Sequence, residues 1–155
     1  MIIFNMTISI RPAKKNDIPL VLDLLYELGR QKPEKDSDMD SFRNLVKKQI
    51  SDSDKTILVA ERNDVNVVGM VSVIFLSRLN QIQPEMYIPE LIVTEKYQNQ
   101  GIGTSLINAC ISLAKQKECQ KIRLESGIQR KETHQFYKNL GFESKSMSFT
   151  KNLID

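Results

Sequence analysis

The sequence predicts one α/β domain in which a mixed sheet carries helices on both faces. Three observations point there: strand-like and helix-like periodicities interleave along the whole chain, no internal repeat or low-complexity linker divides it, and 155 residues suit one core rather than two. Residues 1–155 are therefore taken as a single domain, with 1–5 as a non-native or disordered start and Met6 as an alternative initiator.

Thr7 to Arg11 alternates as a short strand that Pro12 ends. Asn16 and Asp17 then offer a cap for a helix with Ile18, Val21, Leu22, Leu25 and Leu28 at helical spacing, Pro19 in its first turn and Gly29 at its close. Gln31 to Asp40 is polar and acid-rich and reads as a surface loop. Ser41 is placed to cap a second helix whose apolar face is Phe42, Leu45, Val46 and Ile50.

Thr56 to Glu61 and Val67 to Phe75 follow as strands, joined through the turn pair Asn63-Asp64 into an antiparallel hairpin. Met86 to Val93, apolar on both faces after its start, reads as a central strand. A helix from Gly101 to about Lys117 places Leu106, Ile107, Cys110, Leu113 and Ala114 on one stripe. Lys121 to Ser126 is a strand, Lys131 to Leu140 a helix ended by Gly141, and Glu143 to Phe149 a last strand. The order is β-α-α-β-β-β-α-β-α-β.

Composition narrows the function classes. A formal net charge of +3, from 22 basic and 19 acidic residues dispersed along the chain, makes no case for nucleic-acid binding. No apolar run approaches the roughly 20 residues of a membrane span, and Met1 to Phe4 is too short for a signal peptide. Cys110 and Cys119 lack metal-ligand neighbours and read as core thiols of a reducing cytoplasm.

The segment from Pro89 to Thr104 is where chemistry concentrates. A strand runs into a polar turn, then Gly101, Ile102, Gly103 and a helix start, a junction that aims unpaired backbone N–H groups and a helix dipole at one point. Glycine at 101 and 103 lets a phosphate approach the backbone, and Gln98 and Asn99 add side-chain donors. The run lacks the G-K-[ST] of a P-loop, and Leu106 stands where a dinucleotide fingerprint needs a small residue.

Gln98-x-x-Gly101-x-Gly103 after an apolar strand resembles the coenzyme A loop of the GNAT superfamily of N-acetyltransferases. Arg130-x-x-Thr133-His134-x-Phe136-Tyr137-x-x-x-Gly141-Phe142 is similar to a second motif of that family, at the family's usual separation from the first. The resemblance implies a mostly antiparallel sheet and transfer of acetyl from acetyl-CoA to a primary amine by direct attack, with no metal and no covalent acyl-enzyme. It implies that Leu91, Ile92 and Val93 bond the pantetheine arm through their backbone, one N–H near Ile92 or Val93 polarising the thioester. Gln98, Asn99, Gln100, Gly101, Ile102, Gly103 and Thr104 would hold the pyrophosphate. Arg130 and Phe136 belong to the cofactor set by the same argument, although Arg130 replaces an asparagine common in relatives and equally suits a solvent face.

Tyr137 is implied as the acid that protonates the leaving thiolate, since a phenol of pKa ~10 stays protonated where a thiol of pKa ~8.5 begins to ionise. The base has two candidates. Relatives often carry an acid nine or thirteen positions before the first motif residue; Pro89 occupies the first of these and Glu85 the second. Glu90 is displaced by one, which turns it to the opposite face unless Pro89 marks a bulge. His134, the sole histidine, is more naturally a solvent-facing or capping residue.

The acid-rich stretch Glu34 to Asp40 favours a cationic acceptor, such as a polyamine, an aminoglycoside or a peptide amine, and is equally read as a solvated loop. A catalytically silent acetyl-CoA sensor and a different nucleotide-binding domain remain as alternatives. Family members often pair through their last strands, which allows a homodimer.

Overall fold

A computed structural model describes residues 7–63 and 65–154. Met1 to Met6, with the alternative start, and Asp64 of the predicted turn lie outside the described residues. The contacts group the chain into two compact units, one running to Arg123 and one from Leu124 onward.

The first unit holds β1 (Ile8–Pro12), α1 (Ile18–Glu27), α2 (Asp36–Ser51), β2 (Lys55–Arg62), β3 (Val67–Leu76), β4 (Glu85–Ile88), β5 (Leu91–Val93) and α3 (Ile102–Gln116). β6 (Lys121–Leu124) ends at its boundary. The sheet order is β1-β2-β3-β4-β6, with β5 pairing β3 further along the same edge. The ladders β1–β2, β2–β3, β3–β4 and β3–β5 are all antiparallel.

Alternation along β2 divides the core. Ile57 and Val59 join Val21, Leu22 and Leu24 of α1 and Val46 of α2 in one cluster. Leu58 and Ala60, equally buried, belong to the other face by strand alternation. α3 packs on β1, β2, β3 and β5, burying Leu106, Ile107, Cys110 and Ala114. Burial pushes the Cys110 thiol up to about 12, so it stays protonated and inert. No helix among the described residues is long and apolar enough to cross a membrane.

Helix ends follow local rules that fix later geometry. At the end of α1, Gly29 takes φ +108°, its N–H donates to Tyr26 O at 3.0 Å and Arg30 N–H donates to Leu25 O at 3.0 Å. This is a Schellman stop, and it throws the Arg30 side chain back toward the sheet. α3 ends the same way through Glu118 at φ +55°, an angle that glycine adopts without strain. The Asp17 carboxylate does not cap α1. It accepts Lys14 N–H at 2.7 Å and two guanidinium N–H bonds from Arg11, at 2.7 and 3.0 Å.

Four sequence expectations are corrected. The predicted loop Gln31 to Asp40 is helical from Asp36, because Asp36 and Asp38 sit in the first turn of α2, where the helix dipole favours acids. Ser41 is therefore interior rather than a cap, its Oγ bonding Ser37 O at 3.1 Å. Leu45 is exposed, leaving Phe42, Val46 and Ile50 as the inward face of α2. The strand Met86 to Val93 is two strands, interrupted at Pro89 and Glu90.

The second unit, taken by itself, contains α4 (Lys131–Asn139) and a long irregular tail. The predicted last strand, Glu143 to Phe149, is absent: its apolar alternates Met147 and Phe149 are exposed, so the alternation has no buried face and no ladder. The strand predicted to reach Ser126 likewise stops at Leu124.

Candidate active site

Two places in the first unit combine open hydrogen-bonding groups with shape. One is the junction of β5 and α3. Asn99 and Gly101 both take left-handed angles, φ +59° and +82°, which curl the chain and leave Gly101 as the residue before the helix. The main-chain N–H groups of Ile102, Gly103 and Thr104 find no acceptor among the described residues, and the first bond of the helix is Ser105 N–H to Gly101 O at 3.0 Å. Those orphan donors, with the positive end of a fifteen-residue helix, form an anion cradle. Gln98 Nε2 donates to Val93 O at 2.8 Å and ties the loop to the strand. Glu27 ties the same turn to α1, accepting from Thr94 Oγ1 and from Glu95 N–H at 2.7 Å.

Pairing of β5 decides which of its backbone groups are open. Ser72 N–H donates to Glu90 O at 2.9 Å and Thr94 N–H to Val68 O at 2.9 Å, so the hydrogen-bonded positions of this ladder are 90, 92 and 94. The main chain of Ile92 is thus spent on Met70, while Leu91 and Val93 face the edge that no strand covers among the described residues. Gly69 lies opposite Val93, and a Cβ there would sit 3.1 Å from Ile92 O and 3.3 Å from a Val93 methyl. Glycine is what lets β5 lie this close.

The second place is a cavity of about 470 Å³ between α1, α2 and the sheet. Val21, Leu22, Phe42, Val46, Ile57 and Met70 give it apolar walls, and Tyr26, Arg30, Lys48, Gln49, Lys55, Ser72 and Glu90 supply polar groups. Glu90 reaches it through a one-residue bulge. Between Ile74, opposite Tyr87, and Val71, opposite Leu91, β3 has two residues and its partner has three. Ser72 therefore faces both Pro89 and Glu90, the condition under which Glu90 changes face. Ser72 Oγ bonds the Glu90 carboxylate and accepts Glu90 N–H at 3.1 Å, and Arg30 Nη2 meets Glu90 Oε1 at 3.1 Å.

Glu85 has a different setting. It is 2% exposed and surrounded by cations, with Lys121 Nζ at 3.2 Å, Arg78 Nη2 at 3.3 Å and Arg123 Nε at 3.7 Å. Burial raises its pKa, but the Lys121 and Arg78 bonds outweigh that and leave it below the usual carboxylate range. It does not line the cavity.

In the second unit, the Gly141-Phe142 end of the downstream motif is a Schellman stop. Phe142 N–H donates to Tyr137 O at 3.0 Å, Gly141 N–H donates to Lys138 O at 3.0 Å, and Gly141 takes φ +89°. Tyr137 is wedged edge-on between Phe136 and Phe142, with ring centroids 5.1 and 5.6 Å away. His134 Nε2 bonds Gly127 O at 2.8 Å, closing the turn before α4, and Arg130 is exposed at the helix start.

The acetyltransferase (GNAT) family model matches residues 21–142. The chain belongs to this family. It is 28% identical over 145 residues to the aminoalkylphosphonate N-acetyltransferase of Salmonella typhimurium strain LT2, covering 94% of this chain and 91% of that protein. A transcriptional regulator from Bacillus halodurans C-125 superposes with a TM-score of 0.85 at 25% identity, covering 95% of this chain and all of the other. An aminoglycoside N-acetyltransferase AAC(6')-Iy solved with CoA has the same fold at 15% identity, with a TM-score of 0.83 over 99% of this chain and 100% of its own. The GNAT chain is thus an acyltransferase, and its mixed sheet flanked by helices is the family's fold.

What sequence reasoning missed was the cavity's polar lining. Arg30 follows α1, Lys48 and Gln49 sit on α2, Lys55 on β2 and Ser72 on β3, and together they form no motif. The bulge that delivers Glu90 did leave a signal, in the proline preceding it.

Proposed function

We propose that this enzyme transfers the acetyl group of acetyl-CoA to a primary amine held in the α1–α2 cavity. The reading rests on the bulge at Pro89 and Glu90. Upstream of it the strand pairs as β4; at it, a carboxylate enters the cavity; just beyond it, Leu91 and Val93 present main-chain groups at an uncovered edge. One short segment thereby serves both the amine and the acyl donor.

The residues suit the cofactor. Orphan N–H groups at Ile102, Gly103 and Thr104, beside Gly101 with no side chain, match a pyrophosphate in charge and in closeness of approach. When bound, acetyl-CoA supplies a thioester carbonyl open to an amine nitrogen. Val93 N–H is the donor best placed on the open edge to polarise that carbonyl, while Leu91 holds the arm beside it. Glu90, directly or through one water, takes the proton that the attacking nitrogen sheds as the N–C bond forms. By its place in the downstream motif, the Tyr137 phenol is the group that would give a proton to the leaving sulfur. Asn99, Gln100 and Gln98 shape the phosphate loop, and Arg130 and Phe136 complete the cofactor set.

Glu90 is preferred to Glu85 because it lines the cavity, whereas Glu85 is buried beneath cations. Thiol release from acetyl-CoA across pools of amines tests the reading. Tyr137→Phe should lower kcat at least tenfold with CoA affinity unchanged by titration calorimetry. A protein that binds CoA and releases no thiol with any amine is instead a silent sensor.

A further inference from the structure

The cavity's charges are uneven. Of its lining residues, Arg30, Lys48 and Lys55 are cationic, and Glu90 alone is acidic. Arg30 is already engaged by Glu90, so the pair is close to neutral. Lys48 makes no ion pair among the described residues, and Lys55 has only Asp52 at 3.9 Å, with both side chains about 40% exposed. Beside Lys48, the side-chain amide nitrogen of Gln49 lies buried without a hydrogen-bond partner. A buried donor left unmatched is costly. None of Glu34, Asp36, Asp38 or Asp40 lines the cavity.

We infer that the acceptor is a small amine bearing an oxyanion, its nitrogen at Glu90 and its anionic end at Lys48, Gln49 and Lys55. This rests on the acetyltransfer reading and names the substrate class of the same site. The distances agree. Lys55 opens β2 two residues before Ile57, which pairs Ser72, and Ser72 faces Glu90 across the next ladder. Strand spacings then set the Lys55 and Glu90 Cα atoms roughly 12 Å apart, a gap that two side chains reaching inward narrow to a few bonds. A polyamine or aminoglycoside would bring cations against Lys48 and Lys55 with one carboxylate to answer them, so the cavity selects against such acceptors. Carboxylate, phosphonate and phosphate share the chemistry required.

The test compares three-carbon amines in the thiol-release assay: 3-aminopropylphosphonate, β-alanine, propylamine and 1,3-diaminopropane. The inference expects an anionic member to exceed propylamine in kcat/KM by at least tenfold, and the diamine to be poorest. Lys48→Met, Lys55→Met and Gln49→Leu should each raise KM for the anionic amine several-fold and by more than they raise KM for propylamine. A second measurement is independent of turnover: in the CoA-bound wild-type protein, the anionic amines should raise Tm and propylamine should not. Preference for propylamine or the diamine overturns the inference and leaves acetyltransfer standing. No turnover with any amine, together with a Tm rise from the anionic amine alone, overturns acetyltransfer and supports the anion site. Absence of both preference and Tm shift overturns the inference. Equal response to phosphonate and carboxylate supports a general oxyanion site; response to one of them supports that class.

Discussion

The cradle of free N–H groups at the start of α3 and the cavity under α1 and α2 lie on the same unit and are made in opposite ways. The cradle is main chain: a strand edge, two left-handed residues and a helix start. The cavity is side chain, its polar groups drawn from α1, α2, β2, β3 and the bulge. Backbone sites tolerate changes of side chain but need particular torsion angles, so they leave a motif; side-chain sites can be rebuilt residue by residue and leave none. The two should respond separately to mutation.

The sharpest separation is expected from Glu90→Gln. Loss of this carboxylate, the proposed base, should lower kcat/KM by about 10²- to 10⁴-fold, while CoA binding by calorimetry stays at the wild-type value. An equal loss of CoA affinity would mean that the cavity and the cradle are not separable.

Next in size is Glu85→Ala, which removes a buried carboxylate from three partly exposed cations and should cost about 1–3 kcal/mol of stability in denaturant titration. Protein still folded should turn over normally, which distinguishes this carboxylate from Glu90. Glu85 and Asp17 also carry an acid signature. Burial opposes ionisation of Glu85, but Lys121 and Arg78 hold its pKa below the ordinary value; the Arg11 bonds hold Asp17 low against the cost of burial. A depressed folded pKa contributes stability above the ordinary carboxylate range and loses it as pH falls through the lowered values. Tm should therefore drop steeply below about pH 4, and Asp17→Asn should flatten that slope.

A smaller effect tests the cradle alone. Gly101→Ala forces a side chain into φ +82°, at a cost of about 1–2 kcal/mol. It should weaken CoA binding roughly 5- to 30-fold at unchanged KM for the amine. Smallest is Glu118→Gly, which relieves a left-handed residue remote from both sites and should raise stability by about 1 kcal/mol without altering catalysis.

Legibility in the sequence followed the same division. Gly101, Gly103 and the Phe136-Tyr137 to Gly141-Phe142 run announce backbone devices, and the left-handed turn at Gly101 and the Schellman stop at Gly141 stand where those residues pointed. The hairpin, α1 and α3 were equally readable, because their apolar periodicity serves one buried face. α2 began early because acids that suit a helix start also suit a loop. Glu143 to Phe149 alternated like a strand but found no ladder, since pairing is decided by neighbours that no local pattern contains. Of the cavity, only Glu90 was foreseen, and only conditionally on the proline before it.

That one surplus residue has a consequence for engineering. Deleting either Pro89 or Glu90 would leave two residues facing two between the ladders, so Leu91 would still meet Val71 and Ile92 would still meet Met70. What would change is the crossing itself: without Pro89 the strand runs straight past Ser72, and without Glu90 the cavity loses its one carboxylate. Homologues that lack the extra residue, aligned without that offset, would have the positions on one side of it misassigned by one.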